Sequence, residues 1–198
     1  MKKKIAMCCI LVFAIGILTA CGGESASPTD VATDFLTALQ EGDEETLNRL
    51  YVNDEIEWEL ELTEEDGLDE LERALAESIA EKITAFEFEL SNEVIDGNTA
   101  TVDVKITAYN LSAMLENWME AYIESAFEMA MAGASEEEIE DLGMVYLEEA
   151  LRNVAKDFVD TVQLDLVKVD GEWFIDEIDE EGDLINALTG GLLASGMF

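Results

Sequence analysis

Whatever chemistry this chain performs, it performs without imidazole, because none of its 198 residues is histidine. Ser-His-Asp and Cys-His catalysis both need that ring as a base tunable near neutrality, and most zinc sites need histidine or cysteine. The thiols are Cys8, Cys9 and Cys21. The first two lie inside an apolar run near the N-terminus, so Cys21 is the one thiol placed beyond it. Phosphate binding has no cradle either, since Thr189-Gly190-Gly191 lacks the lysine and the spacing of a P-loop.

Carboxylates are plentiful, 47 in all, and a carboxylate base facing a tyrosine or a protonated acid suffices for isomerase chemistry. Asp103 and Tyr109 are such a pair by sequence distance, but alternation along their segment puts Asp103 on a solvent face. Residues 176–183 are dense in acids without the Asp-x-Asp-x-Asp-Gly order of a calcium loop. Glu136, Glu137 and Glu138 suit the first turn of a helix, where negative charge meets the dipole. No catalytic residue, metal ligand or cofactor is assigned. What remains is binding chemistry: Met114, Trp118, Met119, Tyr122, Phe127, Met129 and Met131 share one segment. Methionine adapts to irregular apolar partners, which allows a greasy groove with Trp118 and Tyr122 as aromatic anchors. The competing reading packs the same residues on the next helix, because an amphipathic stripe usually faces a core.

Cys21 is set up by what precedes it. Lys2, Lys3 and Lys4 lead into an apolar run over residues 5–18, the n-region and h-region of an export signal. The run falls short of the roughly 20 apolar residues that cross a bilayer comfortably. Leu18-Thr19-Ala20-Cys21-Gly22 then resembles the lipobox of bacterial lipoproteins, with a branched apolar residue three positions before the cysteine and small neighbours around it. The resemblance implies that residues 1–20 are a signal peptide, that Cys21 is the acylated first residue of the mature chain, and that the protein sits lipid-anchored on the outer face of the cell membrane. The alternative is an ordinary signal peptide with Cys21 close to the cut. Either way the mature chain retains no pair of thiols, so a hydrophobic core must hold it, and its length suits one domain.

The net charge of the whole chain is −37, and losing the three leader lysines takes it to −40. Such a surface excludes nucleic acid, whose binders carry basic patches, and is repelled by anionic headgroups. The expected partners are therefore the membrane, through the lipid alone, and a small ligand or protein that the sequence does not specify. Most of the carboxylates read as a solvated coat.

The elements that carry these residues can be read from periodicity. Residues 21–28 form a Gly/Ser/Ala tether ending at Pro28, and residues 29–180 the folded domain. Ser27 or Thr29 caps a first helix bearing Val31, Phe35, Ala38 and Leu39, which stops at Gly42; a second starts at Asp43 with Leu47 and Leu50 on one face. Residues 55–62 alternate strictly and read as a half-buried strand; residues 63–83 carry a helical stripe of Leu68, Leu71, Leu75, Ile79 and Ile83. Phe86, Phe88 and Leu90, a turn at Asp96-Gly97, and Val102, Val104 and Ile106 make a hairpin. A helical insert over residues 111–158 follows, broken at Gly133-Ala134-Ser135, with a Ser135/Glu138 capping box and a second stripe running to Phe158. The last hairpin turns at Asp170-Gly171, with Val162, Leu164, Leu166 and Val169 on one strand and Trp173, Ile175 and Ile178 on the other. Residues 181–198 read as a weakly ordered apolar tail with one or two helical turns over 182–188, interrupted at Gly190-Gly191.

This predicts an α+β fold: N-terminal helices on a bent antiparallel sheet, with a helical hairpin inserted before the last β-hairpin. Pro28-Thr29-Asp30-Val31-Ala32-Thr33-Asp34-Phe35-Leu36-Thr37-Ala38-Leu39-Gln40-Glu41-Gly42-Asp43, a helix closing in a Gly-Asp step, and the final Val167-Lys168-Val169-Asp170-Gly171-Glu172-Trp173-Phe174-Ile175-Asp176 hairpin are similar to the nuclear-transport-factor-two-like (cystatin-like, SnoaL-like) superfamily. That resemblance implies a cone-shaped cavity between helices and sheet, and it extends to lipoproteins of Gram-positive bacteria that carry such a domain behind a lipobox. The chain departs from the pattern at the insert, and it lacks the histidine of the His-Asp dyads in enzymatic relatives. The function expected is a binding or interaction module; the alternative is an isomerase or hydro-lyase of the same fold using carboxylates.

Overall fold

Helix α1 (Pro28–Glu41) begins where the sequence can satisfy its free amides. The Ser27 hydroxyl accepts from the Asp30 amide, the Asp30 carboxylate accepts from the Ser27 amide in return, and Pro28 occupies the first turn, where no amide is needed. Glu93 adds a long-range cap, accepting from both the Thr29 amide (2.9 Å) and its hydroxyl (2.7 Å). The helix ends at Gly42 in the left-handed region, φ 66°. Asp43 then caps α2 (Glu44–Leu50). The computed structural model describes residues 26–52, 70–179 and 182–195; the strand expected over 55–62, and Leu68 of the stripe that follows, lie outside what is described of the chain. So do the leader and Cys21.

Helix α3 (Glu70–Thr84) leads into a four-stranded antiparallel meander, β1 (Glu87–Asp96), β2 (Thr99–Ala108), β3 (Phe158–Val169) and β4 (Glu172–Ile175), in the order β1-β2-β3-β4. The fold is α+β, with helices α4 (Leu111–Ala132) and α5 (Glu136–Asn153) inserted between β2 and β3. Register aligns the apolar sets: Val104 opposite Val162, Val102 opposite Leu164, Ala100 opposite Leu166, and Leu166 opposite Ile175. All of these are buried on one face together with Ile106 and Trp173. Against that face lie Val31, Phe35, Leu36 and Leu39 of α1 and Leu47 and Leu50 of α2. Each such aliphatic or aromatic side chain contributes about 1.5–3 kcal/mol by leaving water.

Several expectations are corrected in detail. Val169 is exposed, because the inward phase Val162, Leu164, Leu166 cannot include a residue three further on. Helix α5 stops at Asn153, and Phe158 opens β3 instead of closing the helical stripe. Ile178 lies past the end of β4, where its amide donates to the Tyr51 hydroxyl at 3.2 Å. The C-terminal segment is no loose tail in its described part: α6 (Asp183–Leu188) places Leu184, Ala187 and Leu188 in the main core. Gly190 (φ 62°) and Gly191 (φ 86°) follow, and a Cβ at Gly190 would fall 1.8 Å from the Tyr109 carbonyl oxygen. The glycines that read as interruptions are where the returning backbone comes close to both ends of the insert, Gly190 to Tyr109 and Leu111 before it and Gly191 to the Phe158 ring after it.

Candidate binding surface

The insert is rooted by Asn110. Its amide donates to the Ala155 carbonyl (2.9 Å), closing the two ends of the helical hairpin, and its side chain caps α4 by accepting from the Ala113 amide. The remaining side-chain N–H donates to Asp157 at 3.1 Å. A second small core welds this root to the domain: Leu75 of α3, Leu111 and Leu151, with Ile79, Ile83, Met114, Leu147 and Leu192 around them. At the far end Gly133, φ 87°, closes α4, and Ser135 and Glu138 form the capping box of α5.

Trp118 and Tyr122 are brought together, with their rings stacked at 5.6 Å and 2°. Both face α5. The Trp118 Nε1–H donates to the Gly143 carbonyl at 2.9 Å, and the Tyr122 ring lies so close over Gly143 that a Cβ there would meet it at 3.0 Å. Further out, the Ser125 and Tyr146 hydroxyls share a hydrogen bond of 3.1 Å. The structure thus assigns the two expected anchors to the α4/α5 seam, where each is half-buried. Buried indole N–H groups usually find a partner, and here that partner is the neighbouring helix.

The residues that do face water are the next ones along. Met119, Ile123, Phe127 and Met131 are 37%, 60%, 68% and 75% exposed, so exposure rises from the root of the hairpin toward its tip. Their spacing of four makes a continuous row on α4. Single exposed apolar residues are ordinary; four aligned on one helix form a patch. Glu116, Glu120, Glu124 and Glu128, all exposed, form a parallel row one residue on, about 100° around the helix. Phe127, Met119 and Met131 were in the apolar set read from the sequence, but Ile123 and the glutamate row were not singled out as a surface. Spacing alone could have found the second row; which apolar stripe turns to α5 depends on contacts with that helix, Gly143 among them, and that is a tertiary fact.

The carboxylates offer a different picture from an acid–base site. Among the described residues no polar or charged side chain is buried, and no three acidic, cysteine or histidine side chains converge as a metal-ion cage. Asp103 lies on the outer sheet surface, accepting from Asn92 (2.8 Å) and Gln163 (3.4 Å). An open depression of about 390 Å³ is lined by Gln40, Glu87, Phe88, Glu89, Lys105 and Thr107. Its acids are paired, Glu89 with Lys105 at 3.3 Å and Glu87 with Lys156 at 2.8 Å. The Lys156 hydrogen bond and charge hold the Glu87 carboxyl below the usual range. Asp30, Asp43 and Glu138 are held low by the hydrogen bonds of their caps. A general base poised near neutrality needs the opposite shift.

No family model matches the chain, and no curated protein does. A similar solved structure is that of a candidate lipoprotein, ycdA, from Bacillus subtilis, at 18% identity and a TM-score of 0.40. The match covers 82% of this chain and 47% of that one, so this chain spans about half the length of its neighbour. No described helix is long and apolar enough to cross a membrane.

Proposed function

We propose that the chain is a lipoprotein anchored through Cys21 to the outer face of the cell membrane, and that its domain is a non-enzymatic binding module. Three lysines, an apolar run and the Leu18-Thr19-Ala20-Cys21 sequence support the anchor. The observation that carries the binding reading is the row of Met119, Ile123, Phe127 and Met131, held open to water on a helix whose neighbouring stripe is pinned to α5. Trp118 and Tyr122 act in this reading as positioning residues: they fix the rotation of α4 and so choose which stripe is presented. Helices followed by an antiparallel meander also support kinship with the nuclear-transport-factor-two-like domains. The isomerase or hydro-lyase alternative would need a buried carboxylate with a raised pKa, and none of the described acids is of that kind.

The test is site-specific photocrosslinking of the anchored protein in its own cells. A photoreactive residue at Phe127 should yield discrete adducts, and one at Asp103 should not. Equal labelling at both positions, or none at either, overturns the binding reading. For the anchor, Cys21→Ala should abolish fatty-acid labelling and release or trap the precursor. Normal processing and retention after a high-salt wash would overturn it.

A further inference from the structure

We infer that the open row on α4 docks a cationic amphipathic helix, a polypeptide segment with one apolar face bordered by lysine or arginine. The inference rests on the binding-module reading and names the partner's chemistry. Twelve residues separate Met119 from Met131, so the row is about 18 Å long, enough to bed some three turns of a partner helix at 1.5 Å per residue. Methionine at its two ends lets the contact adapt to side chains of different shape.

The charge pattern selects the partner. A helix lying with its apolar face on Phe127 and Ile123 brings its flanking positions over Glu120, Glu124 and Glu128, all of them exposed. Helix α4 has no lysine or arginine to neutralise them, and α5 has only Arg152, at its far end and occupied by Glu148. Opposite charge at those flanks gives both attraction and register. A second copy of the chain fits badly, because a symmetric contact sets one glutamate row against another on chains of net charge −37 or beyond. An anionic bilayer is repelled for the same reason.

The probe is a helical peptide of about 18 residues, five turns at 3.6 residues each, with leucine on one face and lysine on its flanks, titrated calorimetrically into the mature chain carrying Cys21→Ser. Two peptides of the same length serve as controls: the same residues scrambled, and glutamate in place of lysine. The amphipathic cationic peptide should bind, and Ile123→Gln with Phe127→Gln, which removes the apolar contact without changing the charge, should weaken it by about tenfold or more, a loss of about 1.4 kcal/mol per factor of ten. Both positions are exposed, so the melting temperature of that variant should match the parent and keep folding out of the result. Replacing Glu120, Glu124 and Glu128 by Gln should weaken binding and flatten its salt dependence. Equal binding of the scrambled peptide would reduce the effect to the overall charge and overturn the inference. So would indifference to the double variant. Sedimentation showing a dimer, or flotation with phosphatidylcholine or phosphatidylglycerol vesicles, that the double variant abolishes would assign the row to self-association or to lipid and overturn it as well. If the cationic peptide fails while Phe127 still gives adducts in cells, the partner class is wrong and the binding module stands; if both fail, both fall.

Discussion

Replacing Gly190 by alanine should be among the most damaging single-methyl additions in this chain. At φ 62° the backbone lies in the left-handed region, which costs an ordinary residue roughly 1–2 kcal/mol. The new Cβ would also stand 1.8 Å from the Tyr109 carbonyl oxygen and 2.9 Å from the Leu111 amide nitrogen. Backbone cannot rotate away as a side chain can, so the segments must part by more than an ångström. That separation stretches the Ser112 amide to Gly190 carbonyl hydrogen bond, now 3.2 Å, and lifts Gly191 from the Phe158 ring. Overpacking of this kind costs about 1–3 kcal/mol and a lost hydrogen bond about 1, for a total of roughly 3–6 kcal/mol. For a domain of this size, at about 2–4 °C per kcal/mol, that is a fall of roughly 6–24 °C in Tm. Gly42→Ala is the control: φ is 66°, yet nothing lies within 4 Å of a Cβ there, so only the conformational part, roughly 1–2 kcal/mol, should be lost. Calorimetric melts of the two variants at one salt concentration separate contact from conformation. Equal losses, or loss of amide protection confined to residues 183–195 with Tm unchanged, would show that the C-terminal segment is not part of the cooperative core.

Trp118→Phe removes the donor to the Gly143 carbonyl while keeping a ring on Tyr122, and should cost about 1 kcal/mol in a denaturant melt; no loss would mean that water replaces the bond without penalty. Glu138 has a folded pKa below its ordinary one, first through the Ser135 amide and then through its hydroxyl, so its contribution is complete above the ordinary carboxylate range and is lost as pH falls through the lowered folded value. Ser135→Ala should return the Glu138 pKa part of the way upward in a carboxyl NMR titration, since the amide donor remains; an unmoved pKa would refute the hydroxyl's share. Raising NaCl from about 0.02 to 0.3 M should raise Tm, because screening at a Debye length near 10 Å for 0.1 M relieves self-repulsion at a net charge of −37 or beyond. A flat or falling Tm would show the carboxylates already compensated by their neighbours.

Local rules made much of this chain legible. The Ser135/Glu138 box, the Asp170-Gly171 turn with φ of 52° and 97°, and the inward phases of β2 and β3 each depend on a few adjacent residues. Where periodicity met long-range contact it ran out. β1 loses its alternation beyond Ser91, because Asn92 takes a φ of 53° and the strand bulges, leaving Val94 and Ile95 exposed. Gly190 and Gly191 read as helix breakers, and nothing in their own neighbourhood reveals that Tyr109 and Phe158 come to lie against them. Helix α4 is apolar on two adjacent stripes, so either could have turned inward. Contacts with another helix settle it, among them Gly143, which without a Cβ leaves room for the Tyr122 ring.

That choice has an energetic consequence for the glutamates. Presenting Ile123, Phe127 and Met131 to water leaves stabilisation unused, on the order of 1 kcal/mol or more for each side chain that could otherwise be buried. It also exposes a surface on which copies of the chain could aggregate. The glutamate row beside it opposes that outcome at short range, and the net charge of the chain opposes it at longer range. Both forces act against any partner of like charge and in favour of one of opposite charge, so the feature that keeps the open stripe from its own copies also sets what it can bind. Neutralising Glu116, Glu120, Glu124 and Glu128 together should therefore lower the concentration at which the mature chain self-associates in sedimentation at low salt, while the same four changes on the first two turns of α5, at Glu136, Glu137, Glu140 and Asp141, should move it far less. Equal effects from the two sets would mean that total charge alone governs association and that the row beside Phe127 has no special place in it.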